Sequence, residues 1–145
     1  MVFSLSGRTV GWSDSTEIYL VILTETHMKI LAKLFEIAKK TQRVGGSRVC
    51  AAVTKRGKII SIAVNQYRTH PKQKHACNPE RIYLHAEIAA IVQATRQLGD
   101  DLSECILWVA RAKMSNGAWV MGNSKPCDSC EEEIETARIG KVYFS

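Results

Sequence analysis

Between residues 25 and 40 the apolar positions Met28, Leu31, Leu34, Phe35, Ile37 and Ala38 recur at helical spacing, and Lys39 and Lys40 suit the negative end of a helix dipole. An amphipathic helix is predicted there. Residues 48–54 and 59–64 are β-branched runs separated by Lys55-Arg56-Gly57-Lys58, which reads as a β-hairpin turning at Gly57. Residues 86–98 form a second helix with Ile88, Ile91 and Val92 on its buried face and Gly99 as its stop. A buried strand over 105–110 follows, then a turn-rich stretch holding Ser115-Asn116-Gly117 and Gly122-Asn123-Ser124. A third helix over 127–138, stopped by Gly140, and a last strand over 142–144 complete the pattern. The apolar run 18–23 is read as a short strand, and residues 1–16, rich in Gly, Ser and Thr, as a loosely attached lead-in. The expected organisation is a lead-in over 1–24 and one domain over 25–145. Strands alternating with helices predict an α/β class: a three-layer α/β/α sandwich around a mixed sheet whose later strands are parallel.

A chain of 145 residues, 46% hydrophobic and 23% charged, is the size of one domain with a proper core. No apolar run approaches the ~20 residues of a membrane span, and the N-terminus lacks the pattern of an export signal. The expectation is a cytoplasmic protein without a membrane partner. Five cysteines, an odd number, argue against a closed disulfide framework and for a reducing compartment. The net charge of +6 points to an anionic partner: nucleotide phosphate, nucleic acid or an acidic protein surface.

The chemistry concentrates in two short segments. His85-Ala86-Glu87 opens one predicted helix, and Pro126-Cys127-Asp128-Ser129-Cys130 opens another. Together they offer one imidazole, two thiols and a spare carboxylate. A helix N-terminus favours thiolate, which suits zinc ligation. Three protein ligands, His85, Cys127 and Cys130, leave a fourth position for a water whose pKa zinc lowers to about 7. Glu87 lies near that position without being a ligand, as a proton carrier would. The competing reading is a closed zinc knuckle whose fourth ligand comes from His70, His75 or Cys77, residues that also suit a second, structural zinc.

H-x-E followed by P-C-x-x-C is the signature of zinc deaminases. On these residues, and from its first amphipathic helix to its last strand, the chain resembles the cytidine/deoxycytidylate deaminase superfamily, closest in type to deoxycytidylate deaminases. The resemblance implies a cytidine-deaminase-like sandwich, a Zn2+ cofactor, association into homo-oligomers, and a nucleotide or nucleoside substrate. It further implies that the backbone around Ala86 holds the base carbonyl, that Asn65 meets a sugar hydroxyl, and that Ser124-Lys125 borders the exocyclic amine. The chain departs from the pattern in having Ala89 where deoxycytidylate deaminases often carry Asn, and in its stretched segment 112–124. Ending at Ser145, it also lacks the C-terminal helix of many tRNA adenosine deaminases.

The long connection 65–83 is a candidate pocket wall. Arg68, Lys72, Lys74, His75 and Arg81 make it basic, fit for a 5′-phosphate or a nucleic-acid backbone, or simply solvated. Trp119 is either a base-stacking surface or ordinary packing. Asn65 could equally be a plain turn residue. Cys50 and Cys105 read as small buried hydrophobes. The expected activity is hydrolytic deamination of a cytosine nucleotide, dCMP to dUMP. The alternatives are a deaminase of single-stranded DNA or tRNA, one of free nucleosides, and a non-catalytic zinc module.

Overall fold

The computed structural model describes the backbone of residues 2–4, 14–68, 70–71 and 83–145, and the side chains of residues 27–68, 70–71 and 83–145. In chain order the elements are β1 (Val2–Ser4), α1 (Asp14–Lys40), β2 (Arg48–Lys55), β3 (Lys58–Val64), α2 (Ala86–Leu98), β4 (Cys105–Ser115), β5 (Ala118–Gly122), α3 (Asp128–Thr136) and β6 (Lys141–Phe144). The sheet runs β1-β6-β4-β2-β3, with β5 also paired to β4. Pairs β1–β6 and β4–β6 are parallel, and β2–β3, β2–β4 and β4–β5 are antiparallel. The sheet is therefore mixed, as expected.

Strand alternation builds three layers. Leu107 and Val109 of β4, Ala51 and Val53 of β2, and Val142 and Phe144 of β6 share one face with Ile88, Ile91 and Ile134 of α2 and α3. Their neighbours Trp108, Ala110, Cys50, Ala52 and Tyr143 point to the other face and pack against Leu31, Leu34 and Ala38 of α1. Both Cys50 and Cys105 are buried, and burial pushes the Cys50 thiol up to about 12. Among the described residues no helix is long and apolar enough to cross a membrane.

The structure corrects the sequence reading at several points. The run 18–23, expected as a strand, lies inside α1. From Asp14 to Lys40 the sequence contains neither Gly nor Pro, so each added residue extends the helix by one hydrogen bond, which outweighs the small propensity cost of Ile and Val. α1 runs without a break across residue 24. The turn-rich stretch after residue 110 is a regular hairpin. Asn116 and Gly117, with φ of 49° and 79°, close the Ser115–Ala118 pair as a two-residue turn. Gly140 does not end α3 by taking a left-handed conformation, since that conformation belongs to Arg138 at φ 61°. A Cβ at Gly140 would instead sit 2.7 Å from the Ser103 carbonyl oxygen, so a close backbone approach explains the glycine.

The free edge of β4 is divided between two partners. β6 pairs with Ile106 to Val109 and β5 with Arg111 to Ser115. At the handover Ser124 and Ser145 interlock. Ser124 donates its hydroxyl to the Val109 carbonyl at 2.9 Å and its amide to the Ser145 carbonyl at 3.0 Å. The Ser145 hydroxyl donates to the Gly122 carbonyl at 2.7 Å. This junction aims the chain from β5 into Pro126 and the start of α3.

Candidate active site

The N-termini of α2 and α3 meet on one face of the sheet. His85 and Cys127 are the residues immediately before each helix; neither uses its side chain as a helix cap. Both side chains therefore remain available to each other. Nδ1 of His85 lies 3.2 Å from Sγ of Cys130 and 3.6 Å from Sγ of Cys127. All three donor atoms fall within 4.8 Å of one another. A tetrahedral zinc with Zn–S of about 2.3 Å and Zn–N of about 2.0 Å requires N···S separations of about 3.6 Å, so this set fits the ion. Among the described residues no fourth histidine, cysteine or carboxylate joins the group. His75 and Cys77, offered as further ligands, lie outside the described residues.

The thiols share their charge unevenly. Cys127 is pushed down to about 3, first because Cys130 donates a hydrogen bond to it, and further by His85, Ser129 and the Cys130 backbone amide. Cys130 is pushed up by that same donation and by burial. The bond to Cys127 holds His85 above the usual imidazole range. A divalent metal takes the place of these shared protons, which is why such a cluster favours one.

Glu87 lies two residues after His85 and is 6% exposed. Burial raises its carboxyl above the ordinary range, partly offset by a hydrogen bond from its own backbone amide and by His85. A carboxyl that holds a proton at higher pH than usual, beside a cluster of metal-ligating groups, is equipped to accept and return one.

A cavity of about 320 Å³ adjoins the cluster, and Asn65, Ala86, Glu87, Arg111, Ser124 and Lys125 are in its wall. The substrate-contact expectations divide here. Ala86 is fully buried at the first turn of α2, where backbone N–H groups lack helical partners. Asn65 reaches the wall, but its side chain holds the chain beside it: Oδ1 accepts from the Val49 amide at 3.1 Å, and Nδ2 donates to the carbonyls of Ser47 at 2.9 Å and Val44 at 3.3 Å. The Ser124 hydroxyl is likewise engaged in the strand junction. Arg68 is exposed and is not in the cavity wall, while Lys72, Lys74, His75 and Arg81 lie outside the described residues. Trp119 packs on the α1 side of the sheet with the Arg48 guanidinium 5.2 Å from its ring centre.

Sequence reading missed Tyr83 and Arg111. Tyr83 faces the cavity with its ring against Gly45, where a Cβ would lie 3.2 Å away, and edge-on to Tyr67 at 5.2 Å. Nothing in the local sequence marked it. Arg111 was findable, because the alternation Leu107, Val109, Arg111 carries it onto the α2/α3 face once β4 is extended past Ala110.

The family model described as "Cytidine and deoxycytidylate deaminase zinc-binding region" matches residues 24–145. No curated protein matches the chain. Among solved structures, guanine deaminase from Bacillus subtilis is 26% identical with a TM-score of 0.51, over 83% of this chain and 62% of that one. The chain thus spans less than two thirds of that enzyme's length. The dCMP deaminase of cyanophage S-TIM5 is 22% identical with a TM-score of 0.53, over 83% of this chain and 79% of that one. A structure from work on tRNA:A34 deaminases is 21% identical with a TM-score of 0.50, over 83% and 70%. The last two likenesses show the fold. With three donor atoms that fit zinc at the meeting of two helix N-termini and a match to the zinc-binding region over residues 24–145, the chain belongs to the cytidine and deoxycytidylate deaminase family.

Proposed function

We propose that the protein hydrolyses the exocyclic amine of a cytosine nucleotide, with dCMP as the preferred substrate, giving dUMP and ammonia. The observation that carries this reading is the buried carboxyl of Glu87 in the wall of the cavity that adjoins His85, Cys127 and Cys130. Zinc held by those three residues supplies the Lewis acidity that makes water a nucleophile at neutral pH. Glu87 takes the proton that the attacking water gives up, delivers it to the ring nitrogen and then serves the departing amine. The first turn of α2 at Ala86 offers backbone N–H groups to the base carbonyl. Asn65 acts mainly by holding residues 44–49 in place; the unused lone pair of its Oδ1 is what it can offer a sugar hydroxyl. At Ser124 the backbone, rather than the engaged hydroxyl, borders the amine.

The reading extends to the setting of the enzyme. Residues 25–145 carry the reaction, residues 1–24 are a lead-in that the chemistry does not need, and the protein acts in the cytoplasm as a homo-oligomer. A match to a deaminase family over 24–145 supports the first of these.

Ammonia release from the zinc-loaded protein tests the substrate, with dCMP, deoxycytidine, cytidine and a short single-stranded oligonucleotide offered separately. Turnover of dCMP well above the others is expected. Turnover of the oligonucleotide alone would transfer the activity to nucleic-acid editing, and turnover of none would overturn the proposal.

A further inference from the structure

Arg111 occupies an unusual place on β4. Leu107 and Val109, two and four residues before it on the same face, belong to the apolar core beneath α2 and α3. Arg111 continues that row into the wall of the cavity that also exposes His85 and Glu87. Its stem crosses the backbone of Gly122 on β5, its partner in the strand register. A Cβ on Gly122 would lie 3.2 Å from Cδ and 3.3 Å from Cγ of Arg111. Gly122 is not among the positive-φ glycines, so its own backbone does not require glycine; a Cβ there would fit tightly against the arginine stem.

The stem leads a cation into a site where no described residue neutralises it. Nε of Arg111 is buried without a hydrogen-bond partner. Among the described residues no carboxylate forms an ion pair with Arg111. Among the described residues the one carboxylate in the cavity wall is Glu87. A second cation, Lys125, lines the same cavity, and its backbone amide is fixed by the Asn123 side chain at 2.9 Å. A buried guanidinium donor without an acceptor is costly in a protein that lacks a ligand for it. The planar donor fork of arginine matches the oxygens of a phosphate, and a cavity of about 320 Å³ suits a small molecule.

We propose that Arg111, assisted by Lys125, recognises the phosphate monoester of the substrate and makes the enzyme selective for a nucleoside monophosphate over the free nucleoside. This rests on the deaminase reading and names the residue that sets its substrate class. Arg68 does not provide this selectivity, because it is exposed and stands outside the cavity wall. Gly122 is part of the same device, since it clears the path of the arginine stem.

The test compares binding of the products dUMP and deoxyuridine to the zinc-loaded wild type and to R111M, which keeps an apolar stem without donors, at matched zinc content. The wild type should bind dUMP more tightly than deoxyuridine. R111M should lose about 10- to 100-fold of that preference, the effect of one charge-assisted, bidentate contact. If R111M does not fold, R111Q replaces it with the same expectation. Equal binding of the two products by wild type would overturn the assignment, as would a variant that keeps the wild-type preference. If the preference is present and depends on Arg111 while dCMP is not deaminated, the phosphate site stands and the proposed reaction falls.

Discussion

Nδ1 of His85 and Sγ of Cys130 stand 3.2 Å apart although 45 residues separate them in the chain. Two helix starts must hold their relative position for this to occur, so metal binding and folding are coupled. Replacing Cys127 or Cys130 by alanine is expected to abolish stoichiometric zinc and to remove the rise in melting temperature that zinc gives the wild type. Cys130 is fully buried in the core, so its variant should also lose about 2 kcal/mol without metal, through the cavity left behind. Metal analysis and thermal melts with and without a chelator check both; a zinc-replete Cys130→Ala protein would remove it from the ligand set.

Glu87→Gln separates proton transfer from structure. A neutral amide preserves the shape of the buried carboxyl and spares the cost of burying a charge, so stability and zinc content should match or exceed those of wild type. Deamination should fall by at least about 10²-fold, the usual worth of a positioned acid-base group. Initial rates on dCMP, together with zinc content, provide the comparison, and full activity in the variant would refute the assigned role.

Asn65 bonds to three backbone groups between Val44 and Val49. Asn65→Ala leaves the Val49 amide and the Ser47 carbonyl without their side-chain partner and should cost about 1–3 kcal/mol. Urea unfolding would measure the loss, and hydrogen exchange should quicken at Val49. An unchanged midpoint with impaired turnover would mean that Asn65 serves the substrate alone.

His27 gives the fold a pH dependence independent of the metal cluster. Its ring lies 4.3 Å from that of Tyr143 and 5.2 Å from that of Trp108, and its buried Nδ1 has no partner. Burial, then Lys141, hold it below the usual imidazole range of about 6.5. The folded state therefore takes up the proton less readily than the unfolded chain. Stability is fully present above pH 6.5 and is lost progressively as the pH falls toward the lowered folded value. His27→Phe keeps the ring packing and removes the titration. It should be more stable than wild type by about 1 kcal/mol at pH 8, through loss of an unsatisfied buried nitrogen, and the gap should widen at pH 5.5. Melts of both proteins across that range would show parallel curves if His27 were protonated equally in both states.

Much of this molecule was legible from local pattern. The period of Leu31, Leu34 and Ala38 marked the first helix, the β-branched runs around Gly57 marked a hairpin, and His85, Glu87, Cys127 and Cys130 declared zinc hydrolysis by their chemistry and spacing. These features are carried by residues a few positions apart. Ile18 to Leu23 could not be assigned this way, because six apolar residues in a row have no period; continuity with the helix that follows decided them. The roles of Asn65, Ser124 and Arg111 lay further out of reach. Asn65 and Ser124 were read as substrate contacts, yet their side-chain bonds go to Val49 and Val109, partners available only once the strands have taken their register. The alternation of β4 carries Arg111 onto the cavity face, but only the pairing with β5 sets its stem against Gly122. The sequence determined which ligating and acidic groups the chain carries, since that depends on residue type and spacing alone. The tertiary structure decided which polar groups are left over to meet a substrate, since that depends on which ones the fold has already satisfied.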